Sequence, residues 1–383
     1  MRRTLTALAI AVAGVALLAG CGSSSSSSSS SSSAAGSTAS SAGGGGSGAV
    51  AEAKQLIAKY EDVEKLTWPK PTQPFKPGAG KVAVISCGQA GIDCKRGAEF
   101  VDEAAKAMGW TASPTFNGEF LPAKQGGYVQ QAVQEGYNAI VLVAIDPQTI
   151  KAAVDAAAAK KIPISCMECV NEGFGEKVIN VTSGGAYEGR ALGDWIITDT
   201  NSKAKVLQFD DKTFAIIGAR QKGAKEEIKR LCPSCSVEEA DIPTSDLTKP
   251  NAPTYTAALA SHPPGSLTTI MTPSDPEGLP LVKLATQDGR TDFKITGYDA
   301  SSPFVEDIAQ GQTLAAATTA VSFQYVGWAA MDEVARIHAG SPAWDATTIP
   351  AILITKNNAE KYKSGFYTPA FDFKGMFKQQ WGR

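Results

Sequence analysis

The stretch NAIVLVAIDPQTIKAAVDAAAAKKIPISCM, Asn138 to Met167, decides the fold. NAIVLVAI is a continuous apolar run and reads as a buried strand. Asp146 then stands before Pro147, a capping residue ahead of one preorganised for a first helical turn. PQTIKAAVDAAAAKK follows as a helix and IPISCM as a second buried strand. Continuous apolar strands alternating with helices belong to a parallel sheet covered on both faces.

The same alternation runs in both directions from this unit. Upstream lie the strand KVAVIS, the helix RGAEFVDEAAKAMGW, the weaker strand TASPTF and the helix PAKQGGYVQQAVQEGY. Downstream come the strand KVINVTS and the helix GGAYEGRALGDWIITDTN. A second series follows: strands KAKVLQF, CSVEEADI, LTTIMT, FKITGYD and TLAAATTA, with helices AIIGARQKGAKEEIKRL, APTYTAALASH, GLPLVKLATQDG, PFVEDIAQG and SFQYVGWAAMDEVARIHAG. Two strand–helix series of similar size imply an α/β protein with two doubly wound parallel-sheet lobes and a cleft between them. Ligands of such sheets sit beyond the C-terminal strand ends. The loops after Ser86, Ile145, Met167, Phe209, Ile242, Thr272 and Tyr298 are therefore the candidate site loops.

Several chemistries are absent from the sequence. No Gly-x-Gly-x-x-Gly follows the first strand, no Gly-Lys-Ser/Thr occurs, and no Gly-x-Ser-x-Gly elbow is present. The chain has 36 basic and 38 acidic residues, and no strongly basic run that would point to nucleic acid. His262 and His338 are the two histidines, and both read as helix-terminus residues. A histidine-rich metal site and any cofactor are not expected.

The N-terminus gives an address. Arg2 and Arg3 precede an apolar run from Leu5 to Leu18, a secretory signal too short to span a bilayer. The ending Leu18-Ala19-Gly20-Cys21 resembles the lipobox of bacterial lipoproteins, which implies cleavage before Cys21 and lipid on its thiol. The serine- and glycine-rich stretch up to residue 48 has nothing to bury and reads as a flexible tether. Residues 1–20 are thus a signal peptide, 21–48 a lipidated tether, and 49–79 a helix with a proline-rich connector. An exported chain is exposed to oxidation. Its six remaining cysteines fall into local pairs, Cys87 with Cys94, Cys166 with Cys169 and Cys232 with Cys235, and structural disulfides are expected.

From Lys81 to Asp372 the chain resembles the type I periplasmic binding proteins of the ribose- and galactose-binding group. The stretches carrying the resemblance include SGGAYEGRALGDWI, ARQKGAKEEI, HPPGSLTTIMTPSDPEGL and DFKITGYDASSPFVEDIAQG, in matching order and spacing. The resemblance implies three hinge crossovers, near Thr200–Ser202, Ala320–Val321 and Thr348–Pro350. Lobe one is then 80–200 plus 321–348, and lobe two 201–320 plus 349–383.

The resemblance also implies a ligand set, residue by residue. Glu168 replaces the aspartate after the fourth strand, and Cys169 replaces the arginine beside it. Arg220 and Asp299 stand at the family's ligand arginine and aspartate. Tyr298 stands where a phenylalanine stacks on the ligand. Asp275 keeps an acidic position and Ser274 replaces an asparagine. Gln89 and Ser183 complete the candidates. The aromatic pair after the first strand is missing from CGQAGIDC, and Phe116, Phe120, Tyr187 and Phe214 are the rings that could replace it. Two carboxylates and a guanidinium suit vicinal hydroxyls, and equally an amine or a zwitterion.

The expected function is a monomeric, membrane-anchored extracytoplasmic receptor. It would close on a small polar, sugar-like ligand and deliver it to the membrane permease of an ABC importer without turnover. A sensory lipoprotein would use the same cleft. A glycoside-processing enzyme built on Glu168 and Asp299, and a metal carrier built on the lobe-one cysteines, are the more distant alternatives.

Overall fold

The computed structural model describes residues 45–246, 249, 252–364 and 367–383. The signal peptide, Cys21 and most of the tether lie outside the described residues. Residues 43–383 form one compact unit with its own apolar cores. No helix among the described residues is long and apolar enough to cross a membrane.

The first sheet contains β1 (Lys81–Ser86), β2 (Thr111–Ala112), β3 (Phe116–Asn117), β4 (Ala139–Val143), β5 (Ile164–Met167) and β6 (Ile179–Val181). Its order is β2-β1-β4-β5-β6, with β3 also paired to β1, and every pairing is parallel. Val82, Ala83, Val84 and Ile85 of β1 are all sealed from solvent, because helices cover both faces. Those helices are α2 (Ile92–Met108), α3 (Pro122–Gln134) and α4 (Lys151–Ala159). Asp146 accepts the Gln148 N–H at 2.9 Å and opens a short 3-10 turn from Pro147 to Ile150 before α4 begins. It acts as a cap.

The second sheet contains β7 (Lys205–Asp210), β8 (Ser236–Asp241), β9 (Thr269–Met271), β10 (Lys294–Tyr298), β11 (Ala315–Val321) and β12 (Ala351–Thr355). Its order is β12-β11-β10-β9-β7-β8, parallel except for the antiparallel edge strand β12. Its helices are α5 (Ala186–Asp199), α6 (Ala215–Leu231), α7 (Pro253–Ser261), α8 (Asp275–Gln287) and α9 (Ser302–Gln310). The expected two-lobed parallel α/β architecture is the one the chain adopts.

Helix packing moves one boundary. The sequence assigned α5 to lobe one, with the first crossing at Thr200–Ser202. In the structure α5 packs on α6, β11 and β12, so the chain crosses earlier, between Val181 and Ala186. Glycines dictate this. A Cβ at Gly189 would lie 1.9 Å from the Arg220 carbonyl oxygen, and one at Gly223 would lie 2.5 Å from that of Ala186. Only hydrogen at these positions lets the two helices approach. The third crossing pairs with the first: Thr182 N–H donates to Ala346 O at 3.0 Å, and Ile349 N–H to Thr182 O at 3.3 Å.

The chain ends add two further passages. Helix α1 (Gly45–Tyr60) packs on α5, α6 and β12, after which the proline-rich connector leads to β1 in the other sheet. Helix α10 (Phe323–His338) returns to the first lobe and packs on α2, β4, β5 and β6. The sequence placed 349–383 wholly in lobe two. Helix α11 (Ala359–Tyr362) does pack on α9 and β12, but α12 (Phe373–Gln380) packs on α10. Trp381 stacks on Trp328 at 5.4 Å, and its indole N–H donates to Asp332 at 2.7 Å. The tail therefore ends on lobe one.

Candidate ligand site

The two sheets face each other with their C-terminal strand ends, and a cavity of about 470 Å³ lies between them. Six non-glycine residues beyond those ends have left-handed backbone: Glu119 and Phe120 after β3 (φ 50° and 57°), Ala144 after β4 (φ 49°), Glu168 after β5 (φ 52°), and Asp299 and Ala300 after β10 (φ 88° and 52°). Such conformations are costly for residues with a Cβ and cluster at ligand sites. The surrounding ladders enforce them here. Glu168 N–H donates to Val181 O at 3.0 Å, and Asp299 N–H to Thr319 O at 2.6 Å. Cys166 and Cys169, bonded to each other with Cα atoms 5.7 Å apart, bracket Glu168.

Arg220 projects from α6 into the centre of the site and is 3% exposed. Its Nη2 donates to Asp299 Oδ1 at 2.6 Å and its Nε to Glu188 Oε1 at 3.1 Å. The same Glu188 oxygen accepts from the Ser183 hydroxyl at 2.8 Å, and the Ser183 N–H donates to Glu168 Oε1 at 3.3 Å. Burial works against the guanidinium charge, but Asp299, Glu188 and Glu168 outweigh it and hold Arg220 firmly protonated. Burial, then the neighbouring Glu188, pushes the Glu168 carboxyl up to about 8. Burial also raises Glu188 and, aided by Asp299, raises Asp93 well above the usual carboxylate range.

Of the residues expected from sequence, Glu168, Arg220, Asp299 and Ser274 line the cavity. Four do not. Tyr298 is fully buried, with the Arg220 guanidinium 5.0 Å above its ring, so it supports the arginine from beneath. Asp275 is fully buried and accepts from Ser301 N–H at 2.9 Å and Thr318 Oγ1 at 3.0 Å, which braces the Asp299 turn. A Cβ at Gly297 would lie 2.2 Å from Asp275 Oδ1, so the glycine makes room for this brace. Ser183 holds Glu168 and Glu188 behind the wall, and Gln89 spends its N–H on Asn117 at 2.9 Å, outside the cavity lining.

The missing strand-one aromatics are replaced from other loops. Phe120 lies over Gly88, where a Cβ would come within 2.6 Å of the ring. It meets Phe214 of the second lobe edge-on at 6.1 Å, and both line the cavity. Phe116 stacks on Tyr128 at 4.9 Å and Tyr187 meets Tyr60 at 5.3 Å, so both are packing residues. Asp93, Glu277 and Phe323 line the cavity unforeseen. Asp93 and Glu277 lie just beyond strand-end loops that topology had marked, in the first turns of α2 and α8. Ser274 caps α8: its hydroxyl oxygen accepts from the Glu277 N–H at 3.4 Å and its hydroxyl donates to Glu277 Oε2 at 2.9 Å.

Cys87 with Cys94 and Cys232 with Cys235 are also disulfide-bonded. A metal carrier therefore loses its thiolate ligands. Among the described residues no group of three or more His, Cys, Asp or Glu side chains could hold a metal.

Residues 94–342 match the family described as periplasmic binding protein domain. No curated protein matches the chain. Solved structures do. An ABC transporter solute-binding protein from Agrobacterium vitis with bound allitol is 19% identical at a TM-score of 0.66, covering 74% of this chain and 97% of that one. One from Mycobacterium smegmatis with bound glycerol is 22% identical at 0.66, covering 77% and 100%. The Caulobacter myo-inositol binding protein with myo-inositol is 17% identical at 0.66, covering 73% and 95%. At these identities the likeness is one of fold.

Proposed function

The chain belongs to the periplasmic binding protein domain family, and from that premise we propose that it captures one small polar solute between its lobes and releases it unchanged. The observation that carries this reading is the set of groups at the facing strand ends. Arg220, Asp299 and Glu168 meet at a cavity of about 470 Å³, the size range of small-molecule sites. Ion-paired donors and acceptors held in a fixed array suit bidentate contacts to hydroxyl and amine groups. Phe120, Phe214 and Phe323 offer ring faces and edges to a carbon skeleton. Sugars and polyols, of the kind named for the similar structures, are the first solutes to try.

Delivery to the membrane permease of an ABC importer, tethered through lipid at Cys21, completes the proposal. It requires no reaction at Glu168 or Asp299. The test is a thermal-shift screen of unit 43–383 against sugars, polyols, amino acids and nucleosides. A saturable rise in melting temperature with one solute class is expected. No shift across the whole panel would overturn the reading.

A further inference from the structure

The cavity has an uneven set of ionisable groups. Asp93, Glu168, Glu277 and Asp299 line it, against one cation, Arg220, with no lysine or histidine. That cation already serves two carboxylates, Asp299 and Glu188. Glu277 is 2% exposed, and its Oε1 has no hydrogen-bond partner within the protein. Oδ1 of Asp93 and Oε2 of Glu188 are likewise sealed and without a partner. Asp299 is a common neighbour: burial first, and then repulsion that includes its charge, raises Asp93, Glu168 and Glu277.

A buried carboxyl without a donor or counter-charge keeps its proton, and a ligand that supplies both lets it ionise and pairs with it. A neutral polyol brings donors and no charge. A sugar acid brings further repulsion. A primary ammonium brings three donors and the positive charge that favours ionised carboxylates around it.

Building on the solute-capture reading, we propose that the solute is a small organic cation whose amine sits beside Asp299 among Asp93, Glu168 and Glu277. Its carbon frame lies on Phe120, Phe214 and Phe323. The class is an amine-bearing solute such as an amino sugar or amino polyol.

Matched triads test this by calorimetry on unit 43–383: glucose, glucosamine and glucuronate, then glucitol, glucamine and gluconate, with choline and putrescine as cations lacking a sugar frame. Putrescine is expected to bind more tightly than choline, which has no N–H donor, and each triad's amine to exceed its neutral partner by about tenfold or more, the worth of one charge-assisted hydrogen bond. The acids are expected to be the weakest. In Glu277→Gln the amine-to-neutral ratio falls. Neutral members binding as tightly as amines, or a ratio unmoved by Glu277→Gln, would overturn the charge assignment while solute capture stands. No binding by any compound, here or in the thermal-shift panel, would overturn both.

Discussion

Glu168 shows what a single residue contributes and what it costs. Its backbone is left-handed, its carboxyl is buried, and a disulfide fixes both flanks. A carboxyl raised from 4.5 to about 8 by burial and Glu188 binds its proton more tightly in the folded chain than in the unfolded one. Its stabilising contribution is therefore complete below pH 4.5 and is lost as pH rises through about 8. The melting temperature of the ligand-free domain should fall across that window, and Glu168→Gln should flatten the decline. A variant with the wild-type slope would show that Glu168 does not titrate there. At this scale the sequence was informative where chemistry is distinctive. Glu168 stood out between two cysteines, and Arg220 and Asp299 were marked by the family resemblance; all three line the cavity. Tyr298 and Asp275 turn under the floor instead, which neither alternation at the end of β10 nor a position at the start of α8 reveals. Asp93 and Glu277 were not singled out, because both stand in the first turns of helices, where the sequence does not show which side chain faces the cleft.

Between elements, the α5–α6 contact aligns the charge cluster, since Glu188 and Arg220 sit on these two helices. Gly189 is the closest approach. Gly189→Ala should destabilise by about 1–3 kcal/mol in urea unfolding, the range for overpacking a tight contact. Gly218, also on α6, has nothing within 4 Å of its Cβ position. Gly218→Ala should stabilise by about 0.5–1 kcal/mol through helix propensity alone. Equal effects at both sites would remove the steric account. The strand–helix alternation was readable because doubly covered strands are continuously apolar. The ownership of α5 was not. Its amphipathic stripe says that it packs, and only the glycine contacts say on which sheet. The edge strand β12 and helices α11 and α12 were missed, being short segments after a long loop.

For the whole molecule, the structure adds two passages to the three crossings expected between the lobes. One runs from α1 to β1, and the other from α11 to α12. Trp68 in the first passage packs against Tyr325 of α10 at 4.9 Å and against Phe371 of the second at 6.1 Å. The proposed lobe closure would bend these passages together with the three crossings. The central claim is that one solute is held between the lobes and draws them together. Its most direct test is a titration of unit 43–383 with a solute from the screen, followed in parallel by calorimetry and small-angle X-ray scattering. The account predicts one solute per chain, with the radius of gyration decreasing along the same saturation curve. Saturable binding with an unchanged radius, retained when Asp299 is replaced by asparagine and Arg220 by methionine, would place the ligand elsewhere and contradict it.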